Sequence, residues 1–289
     1  MIEFDPELLK DLHKPLPGSH KGQNGKVLLI GGSHLFHAAS LWSLQIASKL
    51  VDMVFYASIP ENNQIVQQAK EEFRNGMVIE RKDIEDYIEE ADVILIGPGM
   101  VRTENTRGIE YTVGSVQEAF EAEHEGMQTY HLTKYLLNKY PHKKWVIDGG
   151  ALQMIEVKWL SDLKDVILTP HLQEFQRVFD LPPSEENVVR MAVEHRCVIL
   201  RKGQEDIVAS LEASAVISGG NAGMTKGGTG DVLAGLVAGL FAKNDAFLAA
   251  SAGSYINKKA GEYLFEKQGY VYNSSDLVDA IPIVMKEMR

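Results

Sequence analysis

Short apolar runs alternate with amphipathic stretches along most of this chain. Lys26–Ile30, Met53–Ala57, Met77–Ile79, Val93–Ile96, Trp145–Asp148, Val166–Thr169 and Val198–Leu200 are nearly unbroken in large aliphatic or aromatic residues. Such runs predict strands buried on both faces, because a strand with one wet face alternates apolar and polar positions. Between them, apolar residues recur every three or four positions. This spacing predicts helices over Ala38–Val51, Gln64–Phe73, Leu132–Tyr140, Glu174–Phe179, Asn187–His195, Asp231–Phe241, Phe247–Glu266 and Asp276–Lys286. Ile207–Val208 and Ala215–Ile217, followed by a turn at Gly219–Asn221, read as a late β pair. The order predicts an α/β fold of three layers, a mostly parallel central sheet flanked by helices.

Val101–Tyr130 breaks the pattern. It is polar, holds Gly108, Gly114 and Gly126, and carries the acidic run Glu118–Glu125. We expect one domain over residues 1–289 with an insertion or surface excursion at 101–130, part of it helical near 116–122. The segment has too few large apolar residues for a core of its own.

Composition narrows the function classes. The chain has 289 residues, 45% hydrophobic and 24% charged, close to ordinary globular usage. The single cysteine, Cys197, lies in the apolar run Cys197–Leu200 and reads as a small buried hydrophobe. No stretch reaches the ~18 apolar residues of a membrane span. Met1–Pro6 has neither the basic start nor the apolar core of a signal peptide, so a cytoplasmic location is expected. The formal charge of −11 argues against nucleic acid and anionic membranes as partners. A small anion needs only a local pocket of N–H groups and a cation or two.

The sharpest chemical signal is the string from Asn221 to Gly235, Asn-Ala-Gly-Met-Thr-Lys-Gly-Gly-Thr-Gly-Asp-Val-Leu-Ala-Gly. Glycines 227, 228 and 230 let several N–H groups converge, and the following helix adds its positive N-terminus, which suits a phosphate. A Walker A loop is absent. Gly97-Pro-Gly99 and Gly228-Thr-Gly230 both lack the final glycine of a dinucleotide fingerprint. Asp231 stands at the helix start, where a carboxylate takes the proton of a hydroxyl attacking a phosphoryl group. The plain alternative is a helix cap. Lys226, one residue before the glycines, either adds a cation for the phosphate or points to solvent. His171 follows a predicted strand end, where ligand crevices of open α/β sheets lie.

The chain resembles the ribokinase-like superfamily, and within it the NAD(P)H-hydrate dehydratases. The resemblance rests on Gly25–Ser33, Ile96–Gly99, Leu168–Phe175, Leu200–Gly203, the 221–235 string and Ser275–Pro282, in the family's order over nearly the whole chain. The 168–175 and 221–235 strings are the specific ones. Departures are Leu172 for a proline, Ala222 for a proline, Gly150 for a second aspartate, Ala38 for a glycine, Val101 for a glycine, and Lys226 for a small polar residue.

The resemblance implies dehydration of the S-epimer of NADHX or NADPHX to NADH or NADPH, driven by ADP, or by ATP in some members, with Mg²⁺. The product nucleotide would be AMP or ADP. It implies Asp231 as catalytic base, with Ala39, Gly99, His171 and Asp231 on the hydrated substrate. It places Lys202, Gly203, Gln204, Glu205, Asp206, Asn221, Gly227, Gly228, Thr229 and Gly230 on the adenine nucleotide. Gly31 and Gly32 would let the dinucleotide approach the backbone. Glu174 reads as a helix-start residue or a distant partner of metal-bound water. No all-protein metal cage is expected. A homo-oligomer, tetrameric by resemblance, and a functional link to a separate epimerase are also implied. A small-molecule kinase of the same superfamily, acting on a vitamin-precursor alcohol, is the alternative. A nucleotide sensor without turnover is the third reading.

Overall fold

Successive residues of each central strand enter opposite cores. Val27 and Leu29 belong to one apolar cluster, Leu28 and Ile30 to the other. The same division holds for Val93 and Leu95 against Ile94 and Ile96, which is why these runs carry no polar positions. The computed structural model describes residues 1–69, 75–104 and 111–288.

The strands are β1 (Ile2–Glu3), β2 (Lys26–Ile30), β3 (Met53–Ala57), β4 (Met77–Val78), β5 (Val93–Ile96), β6 (Lys144–Ile147), β7 (Asp165–Leu168), β8 (Val198–Arg201), β9 (Asp206–Ala209) and β10 (Ser214–Ile217). They form one sheet in the order β1-β10-β9-β8-β7-β6-β5-β2-β3-β4. Only β9 runs antiparallel, to both β8 and β10. The expected late pair is therefore present, and the two-residue β1 beside β10 extends it. In-register pairs such as Leu28 with Ile94 and Ile94 with Trp145 stack large side chains across the middle of the sheet.

The helices are α1 (His37–Ala47), α2 (Pro60–Ala69), α3 (Ile84–Glu90), α4 (Val116–Phe120), α5 (Glu125–Lys139), α6 (Gly149–Met154), α7 (Leu172–Phe179), α8 (Glu185–His195), α9 (Thr229–Phe241), α10 (Ala246–Gln268) and α11 (Ser274–Glu287). Helices α1, α9, α10 and α11 cover one face of the sheet, and α3 to α8 the other. Every residue of α9 from Val232 to Phe241 is buried, so this helix is apolar all round. Gly235 and Gly239 let it close on Ser43, Ile46 and Leu50. Cys197 is buried as expected, and burial pushes its thiol up to about 12. Among the described residues no helix is long and apolar enough to cross a membrane.

The 101–130 segment differs from expectation. Residues 105–110 lie outside the described part, as do 70–73 of the predicted helix Gln64–Phe73. From Val113 onward the chain is packed, not an excursion: Val113, Val116, Ala119 and Tyr130 are buried in the second core. Helix α5 begins at Glu125, seven residues or about two turns before the predicted start at Leu132. Its inward face carries Thr129, Tyr130, His131 and Thr133, whose polarity hid it from an apolar count. Gly126 packs against the backbone of Arg102.

Candidate active site

Strands β2, β5, β6, β7 and β8 are mutually parallel, so the residues just after them gather at one end of the sheet. The chain runs outward from β2 to β3 and β4 on one side and from β5 to β6 and β7 on the other. That divergence opens the crevice in which ligands of open α/β sheets bind. Gly31, Gly97, Asp148, Thr169 and Lys202 all follow these strand ends.

The N-terminus of α9 faces this end. Gly228 caps it with φ +93, and a side chain there would enter the ring of Trp42. Only glycine meets both conditions. Thr229 donates its hydroxyl to Met224 O at 2.8 Å and Ser274 to Gly227 O at 2.8 Å, which fixes the loop. Space beside Gly227 is open. The first turn of any helix leaves its N–H groups without intrahelical acceptors, so this loop offers donors to an anion.

Asp231 lies in that first turn, and its neighbours are charged. Lys202 Nζ is 2.8 Å from Asp148 Oδ1, and Thr169 Oγ1 donates to the same oxygen at 2.7 Å. A Cβ on Gly230 would lie 3.4 Å from Lys202 Nζ, so the ammonium sits against the glycine loop. Burial disfavours the Lys202 charge, but Asp148, Glu174 and Asp231 outweigh it and raise the group to about 12. Asp231 responds in the opposite sense. Burial and the charge of Asp148 push its carboxyl up to about 7, against the pull of Lys202. A carboxyl balanced near neutrality is suited to accept a proton.

Asp148 was not singled out from the sequence, although it is 3% exposed and central to this cluster. Its position directly after β6 was the available signal. The neighbouring Gly149 and Gly150 drew attention to a missing aspartate instead. Gly150 packs against Met100, which leaves no room for a side chain there.

His171 and Lys202 are joined by a backbone bridge between the ends of β7 and β8. His171 Nδ1 accepts from the N–H groups of Gln173 and Glu174 at 3.1 and 3.2 Å, capping α7. Glu174 returns the contact by accepting from His171 N at 2.8 Å, and its other oxygen accepts from Gln153 at 3.0 Å. Because Nδ1 is an acceptor, the neutral ring carries its proton on Nε2. Glu174 thus fills the helix-start role. His171 borders a cavity of about 740 Å³ shared with Arg102, Gln153, Glu174 and Arg177.

A second cavity of about 690 Å³ is bordered by Lys202, Gly203, Gln204, Glu205, Asp206, Asn221, Thr229 and Gly230. Two of these residues use their side chains within the protein. Asp206 accepts from Gly203 N at 2.8 Å and Ser254 Oγ at 2.7 Å, and pairs with Lys258 at 3.5 Å. Asn221 accepts from Gly223 N and Tyr272 Oη at 2.9 and 2.7 Å and donates to Gly261 O at 2.8 Å. Both hold the cavity wall in shape. Gly227 and Gly228 stand apart from this cavity, on the loop that enters α9.

Gly99, with φ +71, touches Phe36 O, Ala39 and Gly32, so the loops after β2 and β5 meet the start of α1 there. The two predicted substrate positions are thus adjacent. Lys226 turns away from the glycine loop. Its ammonium donates to the carbonyls of Tyr270 and Tyr272 and lies 5.1 Å from the ring centre of Tyr272.

A family model described as NAD(P)H-hydrate dehydratase matches residues 27–283. The chain belongs to the NAD(P)H-hydrate dehydratase family. The Staphylococcus aureus ADP-dependent (S)-NAD(P)H-hydrate dehydratase is 30% identical over 280 residues, 94% of this chain and 92% of that one. The bifunctional NAD(P)H-hydrate repair enzyme of Methanocaldococcus jannaschii is 34% identical over 287 residues, 96% of this chain and 51% of that one. The chain spans about half the length of such bifunctional relatives. The structure of the Bacillus subtilis ADP/ATP-dependent enzyme, co-crystallised with ATP/Mg²⁺, superposes with a TM-score of 0.77 over all of this chain and 99% of that one, at 21% identity. At that identity the likeness shows the fold, which is ribokinase-like.

Proposed function

We propose that this member of the dehydratase family uses ADP to dehydrate the S-epimer of NADHX or NADPHX, releasing AMP, phosphate and the repaired cofactor. The carrying observation is Asp231, with its carboxyl raised to about 7 by burial and Asp148, in the first turn of α9 directly after Gly230, which borders the 690 Å³ cavity together with Lys202. The 690 Å³ cavity takes the nucleotide, its phosphates toward Gly230 and Lys202. The hydrated ring enters from the side of His171, Gly99 and Ala39. Asp231 accepts the proton of the ring hydroxyl as that oxygen attacks the terminal phosphorus, and the bond to the AMP oxygen breaks. Lys202 and the α9 N–H groups oppose the charge that develops on the transferring group. Phosphate then departs with the ring C–O electron pair and a ring proton is lost, which restores the conjugated ring.

Among the described residues no three His, Cys, Asp or Glu side chains form a metal cage. Lys202 already occupies one Asp148 oxygen. Mg²⁺ would be carried by the nucleotide phosphates and would screen their charge, and Asp231 and the second oxygen of Asp148 are the carboxylates that would help to hold it. A cytoplasmic site of action, a tetramer and cooperation with a separate epimerase belong to the same proposal. Light scattering tests the tetramer.

The test is recovery of NADH absorbance from NADHX with ADP and Mg²⁺. Stoichiometric AMP and phosphate are expected. A stable phosphoester would favour the kinase alternative, and nucleotide binding without phosphate release would favour a sensor. The dehydratase names of the matched relatives favour the first outcome.

A further inference from the structure

We propose that Lys258 is a positioning residue for the nucleotide, fixing the shape of its cavity by tying together two turns that border it. Lys258 lies on α10 and is 5% exposed. Its ammonium donates to Gln204 O at 2.9 Å and reaches Gly203 O and Gly219 O, both at 3.4 Å. It also pairs with Asp206 at 3.5 Å. Gly203–Glu205 join β8 to β9, Ser218–Gly220 follow β10, and both turns line the 690 Å³ cavity.

The sheet brings these turns to one end but does not join them. Pairing of β9 with β10 ends at Asp206 opposite Ile217. Beyond that point Lys258 takes carbonyls from both turns. Its stem helps to seat the second one: a Cβ on Gly220 would lie 3.4 Å from Lys258 Cγ, and one on Gly219 3.8 Å from Lys258 Cβ. An ammonium has three N–H donors, and four protein oxygens share these. Lys258 is thus spent on the protein and acts on a ligand through the turns. Walls held in place before the nucleotide arrives spare it the cost of ordering them.

This inference rests on reading that cavity as the nucleotide site, and its test reads binding first. Calorimetry with ADP should compare the parent, Lys258→Met, Asp206→Asn and the double variant. Affinity should follow residue 258. ADP should bind about five- to tenfold more weakly to Lys258→Met than to the parent, and weaker by the same factor to the double variant than to Asp206→Asn. Stability should follow the pair instead. Lys258→Met leaves a buried carboxylate without its cation and should lower Tm by about 5–10 °C, and the double variant should recover at least half of that drop. In turnover, KM for ADP should rise with Lys258→Met while kcat at saturating ADP stays within about threefold, since Asp231 and Lys202 are untouched.

ADP binding to Lys258→Met within twofold of the parent, or its recovery to the parental value in the double variant, would overturn the proposal. The second outcome would mean that Lys258 only neutralises Asp206. An absence of ADP binding to the parent would overturn it as well. ADP affinity that follows residue 258, without conversion of NADHX, would instead count against the dehydratase reading alone.

Discussion

Lys202 Nζ and Asp148 Oδ1 meet at 2.8 Å across the ends of β8 and β6, 54 residues apart in sequence. One ammonium thus stands among three carboxyl groups, those of Asp148, Glu174 and Asp231. Asp148 has the direct contact. Asp231 is left with burial and a like charge, and its proton affinity rises. The division makes Asp148 the anchor of Lys202 and Asp231 the proton acceptor.

Asp231→Asn should retain ADP binding, because the replacement is small and polar. Turnover should fall by roughly 10²-fold or more, as for loss of a general base. Stability gives an independent check. The folded carboxyl is raised from 3.8 to about 7, so its contribution to stability is complete below pH 4 and lost as pH rises through 7. Melting curves should therefore show the variant gaining on the parent between pH 4 and pH 8. Near-parental turnover would remove Asp231 as the base.

Asp148→Asn deletes the charge that helps raise Asp231. Burial, the larger cause, remains, so the acid limb of the kcat/KM profile should move to lower pH without reaching the ordinary carboxylate range. The variant should also melt lower, since Lys202 loses its paired charge while staying buried. An unmoved acid limb would mean that Asp231 does not feel Asp148.

Lys226→Ala should change ADP affinity by less than about twofold at low and high salt alike, since its charge is spent on the carbonyls of Tyr270 and Tyr272. A salt-dependent loss of ADP affinity would show that the lysine swings toward the phosphate.

Replacing 101–130 by a short Gly-Ser bridge should abolish the cooperative unfolding transition, because Val113, Val116, Ala119 and Tyr130 are core residues. Tyr130→Ala alone should cost about 3–5 kcal/mol, as for a large aromatic in a packed core. Urea titration reads both, and a deletion variant with a parental transition would restore the excursion.

Local pattern determined the fold class. Unbroken apolar runs required strands covered on both sides, and the intervening helical periodicity supplied the covering layers. The glycine string and Asp231 were legible too, because glycine spacing is itself a statement about backbone geometry. What the sequence left open were relations between distant positions. Asp148 looked like the last residue of one strand and Lys202 like a nucleotide contact in the loop after another, and only the parallel alignment of β6, β7 and β8 puts them in contact with each other. Lys226 was ambiguous until the fold brought Tyr270 and Tyr272 to its ammonium. Asp206 and Asn221 border the expected cavity, yet Ser254, Lys258, Tyr272 and Gly261 take up their side chains. A polar residue's role depends on which partners reach it, and those partners lie dozens of residues away.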